Sequence, residues 1–253
     1  MVTAIFRFYG ELNDFLAPAR RQRTFSCRCA QAATTKHMIE ALGVPHTEVE
    51  LVLVDGEPAL FDRLLGDGER VAAYPRFAAF DIASLACLRA PLPPVRRFVA
   101  DAHLGGLARL LRMAGFDTLY DNHIDDAVLA AIAIGDHRIA LTRDRELLKR
   151  RDIVHGRYVH ALRPAEQLVE VADRLGLAPR AAPFTLCLHC NAPLRAIAKA
   201  LVLDRLPASV RAHHEEFSTC DLCRRVYWKG SHWRRMSALL DASLGAGAQD
   251  ASR

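Results

Sequence analysis

The 253-residue chain lacks a long apolar run. Its longest, Ala127 to Ile134, is far too short to span a bilayer, so a membrane-crossing role is not expected. The N-terminus MVTAIFRFYG has no charged segment, apolar stretch and small-residue cleavage site in the order a secretory leader needs, and the expected location is the cytoplasm. Cysteine is sparse, with seven residues, and disulfides are rare in that compartment, which sets aside a disulfide-stapled fold. Internal repeats and low-complexity tracts are missing apart from the closing AGAQDASR, expected to fray. A strong charge of one sign is missing too, because the formal net charge is only +5. That charge is unevenly spread. Residues 1–90 carry 10 Lys/Arg against 11 Asp/Glu, whereas residues 91–253 carry 24 against 18. The later part of the chain therefore suits a polyanionic partner, with an ordinary solvated surface as the plain alternative. Apolar residues are plentiful at 51%, enough to pack more than one small core.

Residues 1–85 read as a small α+β domain. Val2 to Phe8 and Thr24 to Cys27 suit strands, Thr34 can cap a helix running through Met38, Ile39 and Leu42, and Gly43 can stop it. Strands over Val49 to Val54 and Val71 to Tyr74 follow, with an Asp55-Gly56 turn between them. The order ββαββ is that of a β-grasp (ubiquitin-like) domain. The stretches Glu50 to Gly56 and Asp67 to Val71 resemble the sulfur-carrier β-grasp proteins of thiamine and molybdopterin synthesis. Those carriers end in a free Gly-Gly tail, whereas this segment runs on through Tyr74-Pro75-Arg76-Phe77, so an interaction or scaffolding role, with a possible protein partner, is expected instead.

The proline-rich stretch Leu88 to Arg97 marks a linker, placed at 86–96. Residues 97–178 then alternate strand and helix. Strands are expected at Arg97 to Ala100, Thr118 to Tyr120, Arg138 to Thr142 and Tyr158 to Leu162. Helices are expected from Leu104 to Ala114 (closed by Gly115), from Asp126 to Ile134 (closed by Gly135), over the short basic run Arg145 to Arg151, and from Pro164 to Leu175 with Gly176 beyond its end. Such alternation implies a parallel sheet with covered faces.

In an open parallel sheet, ligands sit beyond the carboxyl ends of the strands. Asp101 directly follows Phe98-Val99-Ala100, and Asp144 follows Ile139-Ala140-Leu141 by two residues. Asp126, at a helix start, can serve the same end, in competition with Asp125; Asp121 is a further candidate. Clustered carboxylates suit hard cations such as Mg²⁺ or Mn²⁺, which activate water and neutralise phosphodiester oxygens. The plain alternative is that each aspartate only caps a helix or turn. Arg143 offers paired donors to a phosphate, while Arg109 and Arg112, off the apolar face of their helix, are candidate phosphate contacts or simply solvated.

Cys187-Leu-His-Cys190 and Cys220-Asp-Leu-Cys223 form two CxxC knuckles within residues 179–240. Four thiolates complete the tetrahedral shell of a structural Zn²⁺ ion, which leaves His189 as an outside candidate ligand. Cys27, Cys29 and Cys87 read as small apolar residues. After the second knuckle, Arg224, Arg225, Tyr227, Trp228, Lys229, His232 and Trp233 alternate cations with aromatics. The cations suit nucleic-acid contact, and the aromatics suit base stacking or the packing of a small module.

The stretch Phe98 to Asp117 and the octet Leu141-Thr142-Arg143-Asp144-Arg145-Glu146-Leu147-Leu148 resemble signature segments of the Mut-seven C-terminal RNase family. The closing Tyr227-Trp228-Lys229-Gly230-Ser231-His232 is similar to that family's zinc-ribbon end. The resemblance implies a PIN-like α/β parallel-sheet core after an α+β ubiquitin-like domain and before a four-cysteine zinc ribbon; residues 241–253 are expected to form a disordered tail. It also implies hydrolysis of RNA, expected to be single-stranded, through an ion on Asp101, Asp126 and Asp144, with the ribbon assisting binding. A fourth acidic ligand has no good match, since Asp121 and Asp152 fit poorly. The alternatives are a non-catalytic RNA-binding adaptor and a protein-interaction factor built on the β-grasp domain.

Overall fold

The structure, a computed structural model, describes residues 1–76, 88 and 92–245. Cys87 and residues 86–87 and 89–91 of the expected linker, like residues 246–253 of the expected tail, lie outside the described residues. In chain order the elements are β1 (Val2–Phe8), β2 (Phe25–Cys29), α1 (Thr35–Ala41), β3 (Leu51–Val54), β4 (Glu57–Pro58) and β5 (Arg70–Tyr74). There follow β6 (Phe98–Ala100), α2 (Gly105–Met113), β7 (Thr118–Tyr120), α3 (Asp126–Gly135), β8 (Ile139–Thr142), α4 (Arg145–Leu148), β9 (Gly156–Tyr158) and α5 (Pro164–Leu175). The last are β10 (Leu194–Ile197), α6 (Ala208–His213), β11 (Phe217–Cys220), β12 (Val226–Trp228) and α7 (Ser231–Gly245). The chain divides into two compact units, Met1–Pro94 with Asp126–Tyr158, and Val95–Asp125 with Val159–Arg253. No helix among the described residues is long and apolar enough to cross a membrane.

In the first unit, β1 alternates buried Ala4, Phe6 and Phe8 with more exposed Thr3, Ile5 and Arg7, the period-two pattern of a strand with one covered face. It pairs with β2 antiparallel and β5 parallel, and the sheet order β2-β1-β5-β3-β4 is that of a β-grasp domain. The Thr34 side chain accepts from the His37 N–H at 3.2 Å, as the capping signal predicts, and buried Met38 and Ile39 of α1 join the core under the sheet. Cys29 is buried there and Cys27 packs against it, both acting as small apolar side chains. The two-residue β4 was not expected, although the Asp55-Gly56 turn that creates it was. The same unit holds the fully buried β8, paired in parallel with β9. Strand β9 covers Gly156–Tyr158 instead of the expected Tyr158 to Leu162, and α4 ends at Leu148 instead of Arg151.

In the second unit, β6 and β7 pair in parallel, and Leu104, Leu107, Ala108 and Leu111 form the buried stripe expected at the start of α2. Helix α5 starts at Pro164, ends at the left-handed Gly176 (φ 60°) as expected, and packs against both α2 and α7. Strands β10, β11 and β12 make a small antiparallel sheet. Helix α7 runs through Gly245, so residues 241–245 of the expected tail are helical. The observed fold class is the expected one: a β-grasp domain, a parallel PIN-like α/β core and a four-cysteine module.

Glu170 on α5 ties down the turn that precedes it. Its carboxylate accepts from the backbone N–H groups of His160 (3.0 Å) and Ala161 (2.9 Å) and meets His160 Nδ1 at 2.9 Å. Burial raises its pKa, but His160 and these N–H groups outweigh burial and hold the carboxyl below the usual range. A group with a depressed folded pKa contributes stability above its unfolded value, near 4.3 for glutamate, and loses it as pH falls through the folded value. Glu170→Gln is therefore expected to be less stable than wild type by about 1–3 kcal/mol at pH 7, with the gap closing below pH 4. Thermal melts across that range check it; a gap that persists unchanged in acid would contradict this origin.

Candidate active site and metal centre

The cysteine module is built by two turns that repeat the same backbone pattern. In the first, the Asn191 N–H donates to the Cys187 carbonyl at 3.0 Å and the Cys187 N–H to the Ala192 carbonyl at 2.8 Å. In the second, the Arg224 N–H donates to the Cys220 carbonyl at 2.8 Å and the Cys220 N–H to the Arg225 carbonyl at 3.0 Å. Each turn needs a left-handed residue just after its second cysteine, supplied by Asn191 (φ 67°) and Arg224 (φ 56°). The result brings Cys187, Cys190, Cys220 and Cys223 together, with all four sulfurs within 4.8 Å of one another.

The chemistry of this set fits a tetrahedral metal. A Zn–S bond of about 2.3 Å implies sulfurs roughly 3.8 Å apart, and the Cys187–Cys223 and Cys190–Cys220 sulfur distances are 3.5 and 3.3 Å. Burial raises the Cys187 thiol, but the N–H groups of Cys190 and His189 and the Tyr227 hydroxyl, 3.1 Å from its Sγ, outweigh it and bring the pKa down to about 6. Burial and the adjoining sulfurs push Cys190 the other way, up to about 12. Four sulfurs this close repel one another as thiolates, and a bound cation is what allows all four to ionise. His189 is not in the sulfur cluster; its carbonyl faces elsewhere.

That carbonyl meets Arg112, which is a correction to the expectation of a solvated or RNA-contacting arginine. Arg112 is 6% exposed. Its Nε donates to the Thr118 carbonyl at 2.9 Å, and its Nη1 to the His189 and Leu188 carbonyls at 2.8 and 3.4 Å. Burial lowers its pKa, while the sulfurs of Cys187 and Cys190 act in the opposite direction. Asn191 adds a second tie, with Oδ1 accepting from the Thr118 N–H at 3.0 Å and Nδ2 donating to Asp117 at 2.5 Å. The first knuckle is thus fastened to the end of α2 and the start of β7.

Asp101 and Asp144 stand beyond strand ends, as expected, Asp101 in the second unit and Asp144 in the first. Asp101 follows β6, and its Oδ1 accepts from the His103 N–H at 3.2 Å, capping the single turn Ala102–Leu104. Beside it the Tyr120 hydroxyl donates to the Ala102 carbonyl at 3.0 Å. A Cβ at Gly105 would lie 2.5 Å from that hydroxyl, so glycine is required for the ring to close over this turn. Asp144 follows β8 and its Oδ1 accepts from the Glu146 N–H at 2.8 Å, capping α4, while its own N–H donates to buried Thr142 Oγ1 at 2.9 Å. Asp126 is the exposed first residue of α3. Asp121 accepts from the His123 N–H at 2.8 Å within its turn, and exposed Asp152 pairs with Arg150 at 3.4 Å.

Among the expected nucleic-acid contacts, Arg109, Arg224, Arg225, Lys229 and His232 are exposed, and Arg143 is half-buried. Lys229 pairs with Glu216 at 2.8 Å. Trp228 packs against the small core of Val202, Leu206 and Phe217, and Trp233 lies 5.0 Å from Phe184, so both aromatics also serve the module's packing.

Residues 96–240 match the Mut7-C RNAse domain, and residues 1–81 match the Mut7-C ubiquitin domain. The chain belongs to the Mut7-C RNAse domain family. No curated protein matches it. Two crystal structures of the small archaeal modifier protein 1 of Haloferax volcanii are similar to part of it, each 18% identical with a TM-score of 0.25, covering 30% of this chain and 100% and 96% of their own. The Mut7-C match spans Asp101, Asp126, Asp144 and all four cysteines. Arg112 is the residue of this region whose part sequence reasoning missed. The signal was there: it flanks the apolar stripe of α2, between buried Leu111 and Met113, but two of the three carbonyls that satisfy it lie 76 and 77 residues further on.

Proposed function

We propose that this Mut7-C protein is a divalent-metal-dependent ribonuclease acting on single-stranded RNA in the cytoplasm, with Asp101, Asp126 and Asp144 as carboxylate ligands for Mg²⁺ or Mn²⁺. The observation that carries this reading is the repeated placement of Asp101 and Asp144. Each lies past the carboxyl end of a parallel strand and is held in one orientation by a backbone N–H of the next turn, in a family described as an RNase. Carboxylate oxygens suit these hard cations. When bound, such an ion activates water and neutralises charge on the phosphodiester.

The chain's own side chains do the rest. Asp101, Asp126 and Asp144 each offer carboxylate oxygens to the cation, Arg143 holds a phosphate through its paired donors, and Arg109 adds a cation on α2. The four-cysteine module, closed around Zn²⁺, presents Arg224, Arg225, Lys229 and His232 to the strand, with Trp228 available to a base at its exposed edge. The capping bonds of Asp101 and Asp144 favour one rival, a non-catalytic RNA-binding adaptor in which both aspartates are purely structural.

The test is labelled single-stranded RNA incubated with Mn²⁺ or with chelator, using wild type and Asp101→Asn/Asp144→Asn. Metal-dependent cleavage lost in the variant is the expected result. Equal cleavage by both proteins would refute the assignment, and RNA affinity that depends on salt but not on divalent metal, without cleavage, would select the adaptor.

Arg224 separates binding from folding. A non-glycine residue in the left-handed region is strained by roughly 1 kcal/mol or more, so Arg224→Gly is expected to preserve or raise ribbon stability by up to about 1 kcal/mol. It is also expected to weaken RNA binding and flatten its salt dependence by about one phosphate contact. Paired melting and salt-titrated binding measure the two effects; unchanged binding would remove Arg224 from the interface.

A further inference from the structure

The ubiquitin-like domain does not stand apart in its own unit. We infer that it acts in cis as a brace, holding the α4–β9 segment and thereby positioning Asp144. The inference rests on the reading of Asp144 as a metal ligand.

The contacts fall at three places. At the first, the Arg145 guanidinium lies over the rings of Phe15 (5.2 Å) and Tyr158 (5.7 Å), which meet edge to face at 5.3 Å, and donates to the Phe15 and Asp14 carbonyls at 3.1 and 3.4 Å. At the second, His46 joins Glu40 Oε1 (2.7 Å) on one ring nitrogen and the Ile153 carbonyl (3.1 Å) on the other. At the third, Glu48 accepts from the Tyr158 N–H at 2.6 Å, and Arg157 donates to the Thr47 carbonyl. His46, Thr47, Glu48 and Arg157 are all buried.

This pattern is that of a fixed joint. β9 is an edge strand, and Glu48 caps one of its N–H groups with a carboxylate where a neighbouring strand would otherwise pair. Displacing the domain would take the partners from two arginines and expose the Phe15–Tyr158 ring pair to water. Helix α4 needs such support. It is a single turn, and one turn has no stability of its own because nucleation fixes several residues for one hydrogen bond. Its first residue, Arg145, is clamped by the domain, and its second, Glu146, supplies the N–H that orients the Asp144 carboxylate. Arg145 is thus a positioning residue, one step removed from the metal ligand.

The experiment uses the full chain with Arg145→Met, Arg145→Lys and Asp144→Asn. Three readouts are taken: hydrogen exchange over residues 142–158, Mn²⁺ binding followed by the paramagnetic resonance of the free ion, and the Mn²⁺ dependence of RNA cleavage. Arg145→Met is expected to speed exchange at residues 143–149 and to weaken Mn²⁺ binding about tenfold, as for loss of an outer-shell contact. Saturating Mn²⁺ should restore cleavage, and Arg145→Lys, which keeps the cation over the rings, should recover much of the affinity. Unchanged exchange in Arg145→Met overturns the brace whatever the metal data say. Faster exchange with unchanged Mn²⁺ affinity overturns the positioning of Asp144. Wild-type Mn²⁺ binding by Asp144→Asn sinks the metal assignment instead, and with it the claim that the brace serves a ligand, while the exchange data still decide whether the joint exists.

Discussion

Cys220→Ser, or removal of metal by a strong chelator, is expected to unfold the module that begins near residue 183. The reason is the imbalance between what the metal supplies and what the module has without it. Its buried apolar cluster consists of Val202, Leu206 and Phe217, with Ile197, Val210, Val226 and Trp228 only partly covered. A core of that size contributes only a few kcal/mol. Zinc binding to four thiolates contributes on the order of 10–16 kcal/mol. Without the cation, nothing draws the four clustered sulfurs together. Metal analysis should find about one zinc per chain in wild type and none in the variant. Tryptophan fluorescence from Trp228 and Trp233 should shift to that of exposed indole, and a protease should cut within residues 183–230. A metal-free Cys220→Ser protein with native fluorescence and protease resistance would refute a metal-built module.

The second large effect is on catalysis. Asp101→Asn and Asp144→Asn are each expected to reduce Mn²⁺-dependent RNA cleavage by at least ~100-fold, since each removes an anionic ligand from the cation. The choice of asparagine matters because both aspartates cap a helical turn. Asparagine caps about as well as aspartate, whereas alanine would lose about 1 kcal/mol of helix stability and confuse folding with chemistry. The melting temperature of the asparagine variants should therefore stay close to that of wild type while cleavage collapses. If alanine and asparagine variants lost stability and activity in parallel, capping alone would explain both positions.

Much of the architecture was legible because its causes are local. The Thr34 cap, the Pro164 start and the Gly176 stop each act within one helical turn, and each helix boundary they marked lies within a residue of its expected place. The cysteine knuckles were legible for the same reason, since a three-residue spacing already fixes two ligands on one turn. β9 was misplaced: it begins at Gly156, where a Cβ would meet Leu148 Cδ2 at 2.5 Å, a close approach that only the folded chain reveals. The end of α3 was misread too. Gly135 is helical, and the left-handed residue after the helix is His137 (φ 51°). What no local pattern could reveal were partners supplied from far along the chain, such as the Thr47 carbonyl for Arg157 or the His189 carbonyl for Arg112. From sequence alone, Arg112 reads as solvated or as a phosphate contact. The placement of Asp101 and Asp144 at strand ends was legible, and capping was the plain alternative there; the folded chain adds which N–H each one accepts, that of His103 and that of Glu146.

The way Arg112 grips the first knuckle has an evolutionary consequence. It addresses main-chain oxygens of residues 188 and 189 and no side chain there. Every amino acid offers that oxygen, so the two positions between Cys187 and Cys190 are free to drift as long as the turn keeps its shape. The guanidinium has no such latitude, because a shorter cation cannot reach Thr118 and the knuckle together. Selection on this joint should therefore fall on one partner only, leaving descendants that vary freely inside the CxxC loop around an unchanging arginine.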